Sequence, residues 1–149
     1  MAMRYSSQFN LDKLRQNLFA RKGRFEKDMR DAAEQGAELI MAKSQSNAPV
    51  DTHNLEEAHH IKQTVTDADH VRFTVEVSGV GFGSDDPRDV DNYAMEMHEN
   101  YEDYKMGEKS EAKMAAGHEV GSKYLERAVE SEKGKAVDLI RQAARKNFK

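Results

Sequence analysis

Six histidines (His53, His59, His60, His70, His98 and His118) and 27 carboxylates are the side chains of this 149-residue sequence that could hold a metal or move protons. Their spacing does not assemble a known site. His59 and His60 are adjacent, so on a strand they point to opposite faces and cannot chelate one ion in the usual way. His98-Glu99 matches the first half of an H-E-x-x-H zinc helix, but position 102 is Glu where the second His is required. Asp85, Asp86, Asp89 and Asp91 are spaced nearly alternately, yet the glycine and closing glutamate of a calcium loop are missing. A solvated acidic loop accounts for them. No Gly-x-Ser-x-Gly supports a serine nucleophile, and no cysteine is present for thiolate or disulfide chemistry. Gly79-Val-Gly-Phe-Gly83 lacks the G-x-G-x-x-G order and precedes no obvious helix, so it reads as a hairpin extension and not as a phosphate cradle. No enzyme signature survives, and no cofactor is implied.

Composition points the same way. Leu, Ile, Val and Phe total 26 residues, a thin supply for a core that Ala and eight Met must supplement. Packing against other chains would help such a core. Net charge is −4, but it is unevenly spread: residues 1–30 carry +5, residues 31–132 carry −14 and residues 133–149 carry +5. Basic ends and an acidic centre could pair within one subunit or between neighbours, or be ordinary solvated faces. The acidic total argues against a free-standing duplex-DNA reader, without excluding the lining of a channel through which DNA slides. With no long apolar run and no apolar leader at the amino end, the expectation is a soluble intracellular product, or part of something assembled there, with no membrane contact.

The elements that must position these residues follow from periodicity. Leu11, Leu14, Leu18, Phe25, Met29, Ala32, Ala33, Leu39 and Ile40 recur at three- and four-residue steps, predicting a helix over 10–46 with Asn10 as its N-cap. At 1.5 Å per residue it is longer than so small a sheet can cover. Gly23 and Gly36 are candidate bends or breaks, and Asn47-Ala48-Pro49 ends the helix, because the residue before proline is pushed out of the α region. In His70–Ser78, Val71, Phe73, Val75 and Val77 alternate with polar residues. With His59–Thr66 just before, this predicts an antiparallel hairpin. Asn92–Glu99 is ambiguous between strand and short helix. The chain is therefore expected to be one α+β domain over 1–149: a long N-terminal helix (10–46), a sheet region with a β-hairpin (53–99), a polar excursion (100–121) and a C-terminal helix (122–147) packed on the sheet. Ser122 is the candidate N-cap of that last helix, with Leu125 and Val129 facing inward and Lys123 and Glu126 exposed.

Three short motifs resemble a known family. Ala48-Pro-Val-Asp-Thr-His-Asn-Leu55 is similar to the P-V-D-T-G-x-L turn of the tail-completion, or head–tail joining, proteins of long-tailed phages, also known as minor capsid or minor tail components. Asn92-Tyr-Ala-Met-Glu-Met-His-Glu-Asn100 resembles the family's Y-A-x-x-x-H-E, and Val120-Gly-Ser-Lys-Tyr-Leu-Glu-Arg-Ala-Val129 its V-G-x-K-F-L-E-x-A-L. The motifs occur in the family's order and span about residues 10–145 with the matching elements. The positions carried over are Pro49, Asp51, Thr52, Leu55, Tyr93, Ala94, His98, Glu99, Gly121, Lys123, Leu125 and Glu126. Asp51 and Thr52 suit a turn, Leu55 an anchor in the core, and Tyr93 and Ala94 packing beneath the last helix. His98 and Glu99 suit a hydrogen bond across a sheet edge or a subunit boundary. His53 departs from the family's glycine, and 104–118 separates the second and third motifs more widely.

The resemblance implies a virion protein of the neck or tail end, without catalysis. It would assemble as a ring, six-fold by the symmetry of tails, that completes or terminates the tail or connects it to the head. Its partners would be further copies, other neck, connector or tail-tube proteins, and DNA passing through a lumen without sequence readout. Its place would be the virion, and the host cytoplasm during assembly. Two other classes compete: a small metal-dependent hydrolase using His53, His98, His118 and the Asp85–Asp91 loop, and a free regulatory or nucleic-acid-binding protein with basic helical ends.

Overall fold

Proline at position 49 ends a long helix where expected: α1 runs from Leu11 to Asn47, 37 residues without a break at either glycine. In this computed structural model, which describes residues 11–50, 55–67, 70–79 and 87–148, α1 is a rod about 55 Å long at 1.5 Å per residue. It is followed by β1 (His59–Asp67), β2 (His70–Val77), α2 (Pro87–Asn100), a 3-10 turn (Tyr101–Asp103), α3 (Glu108–Ala115) and α4 (Tyr124–Asn147). Asn10, the expected N-cap, and Asp51, Thr52 and His53 lie outside the described residues, as do residues 80–83 of the glycine-rich stretch.

The fold is α+β, as the periodicity predicts. β1 and β2 form a two-stranded antiparallel hairpin, in register from His59 opposite Val77 to Val65 opposite Val71, with an irregularity before Asp67 pairs His70. α4 returns antiparallel along α1. The Asn147 amide donates to Asp28 at 2.9 Å near one end, and midway a Cβ built on Gly36 would sit 2.9 Å from that of Ala136. Small residues, among them the buried Ala32, Ala37 and Ala128, let the two rods approach this closely. The C-terminal helix also covers the sheet: its Leu125 and Val129, with Ile40 of α1, face Val71, Phe73 and Val75 of β2 across an apolar crevice of about 400 Å³.

Three local expectations change. The segment 92–99, placed in the sheet region by the sequence, is helical, because Val90, Ala94, Met97 and Tyr101 recur at helical spacing and are all buried, while Met95 is 70% exposed. Ser122 is not the N-cap of α4. Its hydroxyl donates to Glu102 at 2.6 Å, and Lys123 precedes the helix in a left-handed conformation, φ 53°. Val129 is not fully inward but 39% exposed at the open crevice.

The main core lies at one end of the rod. Ala48, Leu55, Ala94, Met97, Tyr101, Val120 and Tyr124 form one buried cluster where the end of α1, the return chain, α2, the 3-10 turn and the start of α4 converge. At the opposite end α1 extends past the other described elements. Leu11, Leu18 and Phe19 are 58–68% exposed, because α4 finishes at the level of Asp28.

Candidate functional site

All three motif segments converge on that core. Tyr124 is its centre: 1% exposed, it donates its hydroxyl to the Ala94 carbonyl at 3.2 Å. Burial pushes this phenol far above its ordinary range. Its ring meets the edge of His98 at 5.0 Å between centroids and lies 5.8 Å from His59. Leu55 and Ala94 are inside the cluster, with Tyr93 and Leu125 packed against it and Pro49 fully buried beside it. The backbone joins the last two motifs directly, since Lys123 N–H donates to the His98 carbonyl at 2.6 Å. Gly121 has φ +153°, which side-chain-bearing residues rarely adopt, and its N–H donates to the Asn47 carbonyl at 3.3 Å.

The polar motif residues sit at the rim. His98 Nδ1–H donates to Glu99 Oε1 at 2.8 Å, so the two bond one another and not across a sheet edge. Glu99 also receives the Lys123 ammonium at 3.4 Å, and Lys123 reaches Glu126 at 3.7 Å. The hydrogen bond from His98, then that from Lys123, holds the Glu99 carboxyl below its ordinary range. Glu99 in turn raises the Lys123 ammonium. These charges are half-exposed, and such pairs add little to stability. They leave the motif rim as a charged surface over an apolar hub.

Sequence reasoning missed the part that α3 plays. The last turn of α1 has no basic side chain of its own, and its carbonyls need donors. Lys113 supplies them from α3, donating to Gln45 O at 2.8 Å and Ala48 O at 2.9 Å while pairing with Glu56. Ser110 completes the brace: its hydroxyl accepts from Val50 N–H at 3.0 Å and donates to Val50 O at 3.3 Å. The polar excursion therefore clamps the exit of α1 at the first motif. Contacts 60 and more residues apart in sequence leave no periodic trace.

His59 is a buried titratable group. Its Nδ1–H donates to Leu55 O at 2.8 Å, which leaves Nε2 to accept from the Ser44 hydroxyl at 2.8 Å, so the neutral ring fits the site. Burial lowers its pKa, with Leu55 and Glu56 opposing. Its neighbour His60 faces Glu76 at 3.5 Å instead. Of the hydrolase candidates, His53, Asp85 and Asp86 lie outside the described residues, His118 is exposed and His98 is engaged with Glu99. Among the described residues no group of three or more His, Asp or Glu could hold a metal ion, and no helix is long and apolar enough to cross a membrane.

Two crevices flank the hub. One, about 470 Å³, lies between Pro49, Tyr93, Met97 and Ser110; the other, about 590 Å³, is lined by Tyr104, Met106, Val120, Glu102, Glu126 and Glu130. Tyr101 borders both, and its hydroxyl has no hydrogen-bond partner among the described residues. Nor have Arg127 Nε and Nη2 or the Asn47 amide.

No curated protein and no solved structure matches the chain. Residues 12–80, which take in α1, the first motif and the hairpin but not the second and third motifs, match the family model described as "Bacteriophage HK97-gp10, putative tail-component", in agreement with the tail-completion and neck resemblance of the sequence.

Proposed function

We propose that the chain is a structural protein of the neck or tail end of a long-tailed phage, assembling as a ring that completes the tail or joins it to the head, and that it performs no catalysis. The observation that carries this reading is the tail-component match over 12–80, on a chain whose motif residues pack a hub. Leu55, Ala94 and Tyr124 build the core, while His98, Glu99, Lys123 and Glu126 edge it, an arrangement suited to holding a shape and presenting a charged rim. The bare end of α1 and the open crevice beneath the hairpin favour an interior completed by other copies. A closed ring satisfies every heterologous contact, whereas an open arrangement would polymerise. Six copies is the number that tail symmetry in the resembled family suggests. The partners are further copies and neighbouring neck, connector or tail-tube proteins, with DNA passing through the lumen unread. The place is the virion, after assembly in the host cytoplasm.

Particle composition and a gene deletion test this reading. Purified virions should contain the chain in ring stoichiometry, and the deletion should leave heads and tails unjoined until purified protein is added. Infectious particles made without the chain would overturn it.

A further inference from the structure

The charge asymmetry of the sequence becomes a geometry in the fold. The bare stretch of α1, residues 11–24, carries five basic side chains and one acidic. The closing turns of α4, with Arg141, Arg145 and Lys146, lie beside its base, as the contact of Lys146 with Asp28 at 3.4 Å shows. The other end, residues 87–132, carries twelve acidic and six basic side chains. About 29 residues of continuous helix, or ~44 Å, separate Leu18 from Asn47. That is several Debye lengths at physiological salt, so the basic and acidic poles of one molecule cannot neutralise each other.

The basic pole also has an unfinished apolar seam. Leu11, Leu18, Phe25 and Ala32 are spaced by seven residues, two helical turns, and so follow one line along α1. Ala32 is buried, and Phe25 meets Phe148 at 5.7 Å. Leu11 and Leu18 continue the same line into solvent at 68% and 58% exposure, with Phe19 beside them at 64%. Two such arms brought together would oppose like charges. The acidic pole offers the complement: the crevice of about 590 Å³ has Tyr104, Met106 and Val120 as an apolar floor, and at its edge Glu102, Glu126 and Glu130 outnumber Lys123 and Arg127.

We propose that copies of this chain associate head to tail, the amphipathic basic arm (residues 11–24) of one copy seating in the acidic crevice between the 3-10 turn and the start of α4 of the next. This rests on the assembly reading above and gives it a contact. The arm supplies Leu18 and Phe19 to the crevice floor and Arg21 and Arg24 to its glutamates. Each copy uses both poles, so the contact is heterologous and closes only as a ring.

The full-length chain provides the test, by native mass spectrometry and sedimentation. Leu18→Asp with Phe19→Asp disables the arm, and Glu102→Arg with Glu130→Arg disables the crevice. All four positions are exposed, and helical content read by circular dichroism should be unchanged. Each double variant should lose the ring, and a mixture of the two should stop at a one-to-one complex, having one working contact. Arg21→Glu with Arg24→Glu should weaken association by about tenfold or more, and adding Glu102→Arg with Glu130→Arg should restore it. Dimers of the crevice variant alone would mean that arms pair with arms, and rings unaffected by the arm variant would mean that the arm is idle. Either result overturns the inference. So does cross-linking of the arm, within virions, to a different tail protein, which leaves the tail-component reading standing. Absence of the chain from virions would instead strike that reading.

Discussion

Tyr124 carries the hub because its ring is enclosed while its hydroxyl still finds a carbonyl. Removing that hydroxyl with Tyr124→Phe, the residue of the resembled motif, gives up one modest hydrogen bond and should cost about 0.5–1.5 kcal/mol. Tyr124→Ala empties the centre of the cluster and should cost about 3–5 kcal/mol. Urea unfolding of the two variants measures the difference, and equal losses would show that the ring does not pack as described. His59 makes stability depend on pH in a defined direction. Because burial lowers its folded pKa from the ordinary 6.5, the unfolded chain binds the proton more readily. Its contribution is complete above about pH 6.5 and is lost as pH falls through 6.5 toward the folded value. Lys113 lowers that value further, and Glu56 opposes it. Asp28, Glu99 and Glu132, held low by hydrogen bonds from Asn147, His98 and Lys135 respectively, act only in the more acidic carboxylate range. Thermal unfolding between about pH 8 and 5 should show a decline below 6.5 in the native chain that is absent in His59→Gln. Parallel curves would remove His59 as the cause.

The elements differ in how much of their behaviour is intrinsic. α1 tolerates two glycines for opposite reasons. A Cβ at Gly36 would press on Ala136 of α4, whereas one at Gly23 would meet nothing within 4 Å. Gly36→Leu should therefore force the rods apart and destabilise by about 1–3 kcal/mol. Gly23→Ala should stabilise by about 0.5–1 kcal/mol through helix propensity alone. Calorimetry of both variants checks the pair, and a neutral Gly36→Leu would refute the close crossing. The end of α1 behaves differently, since its cap comes from Lys113 and Ser110 of α3. Helix periodicity and the proline stop were legible in the sequence. The brace was not, because nothing in local spacing announces a lysine that caps a helix 65 residues away. Similarly, Tyr93, Met95 and Met97 imitate strand alternation, and the helix there is settled by the burial of Val90, Ala94, Met97 and Tyr101.

At the scale of the molecule, the hub, the rod and the bare arm make an elongated body with a basic and an acidic end. If opposite poles of neighbouring copies meet, assembly must weaken with salt. Between about 0.05 and 1 M, where the Debye length shrinks to roughly 3 Å, the ring should loosen and its dissociation accelerate, although the apolar seam should keep it from vanishing. Sedimentation across that range measures the effect. An indifferent ring would leave Leu11, Leu18 and Phe19 as the whole contact.

The amino-acid sequence by itself determined the two long helices, the stop at Pro49, the hairpin and the three motifs, because periodicity, proline geometry and short spacing act over a few residues. Even the charge blocks were visible in it, but not whether they pair within one subunit or between copies. Only the tertiary structure decided where they lie, by placing a rigid helix between the basic arm and the acidic hub. It also decided that His98 bonds Glu99, that Lys123 and not Ser122 precedes α4, and that the motifs close on Tyr124. Each of these depends on which distant segments pack together, and burial and distance across the fold have no one-dimensional equivalent.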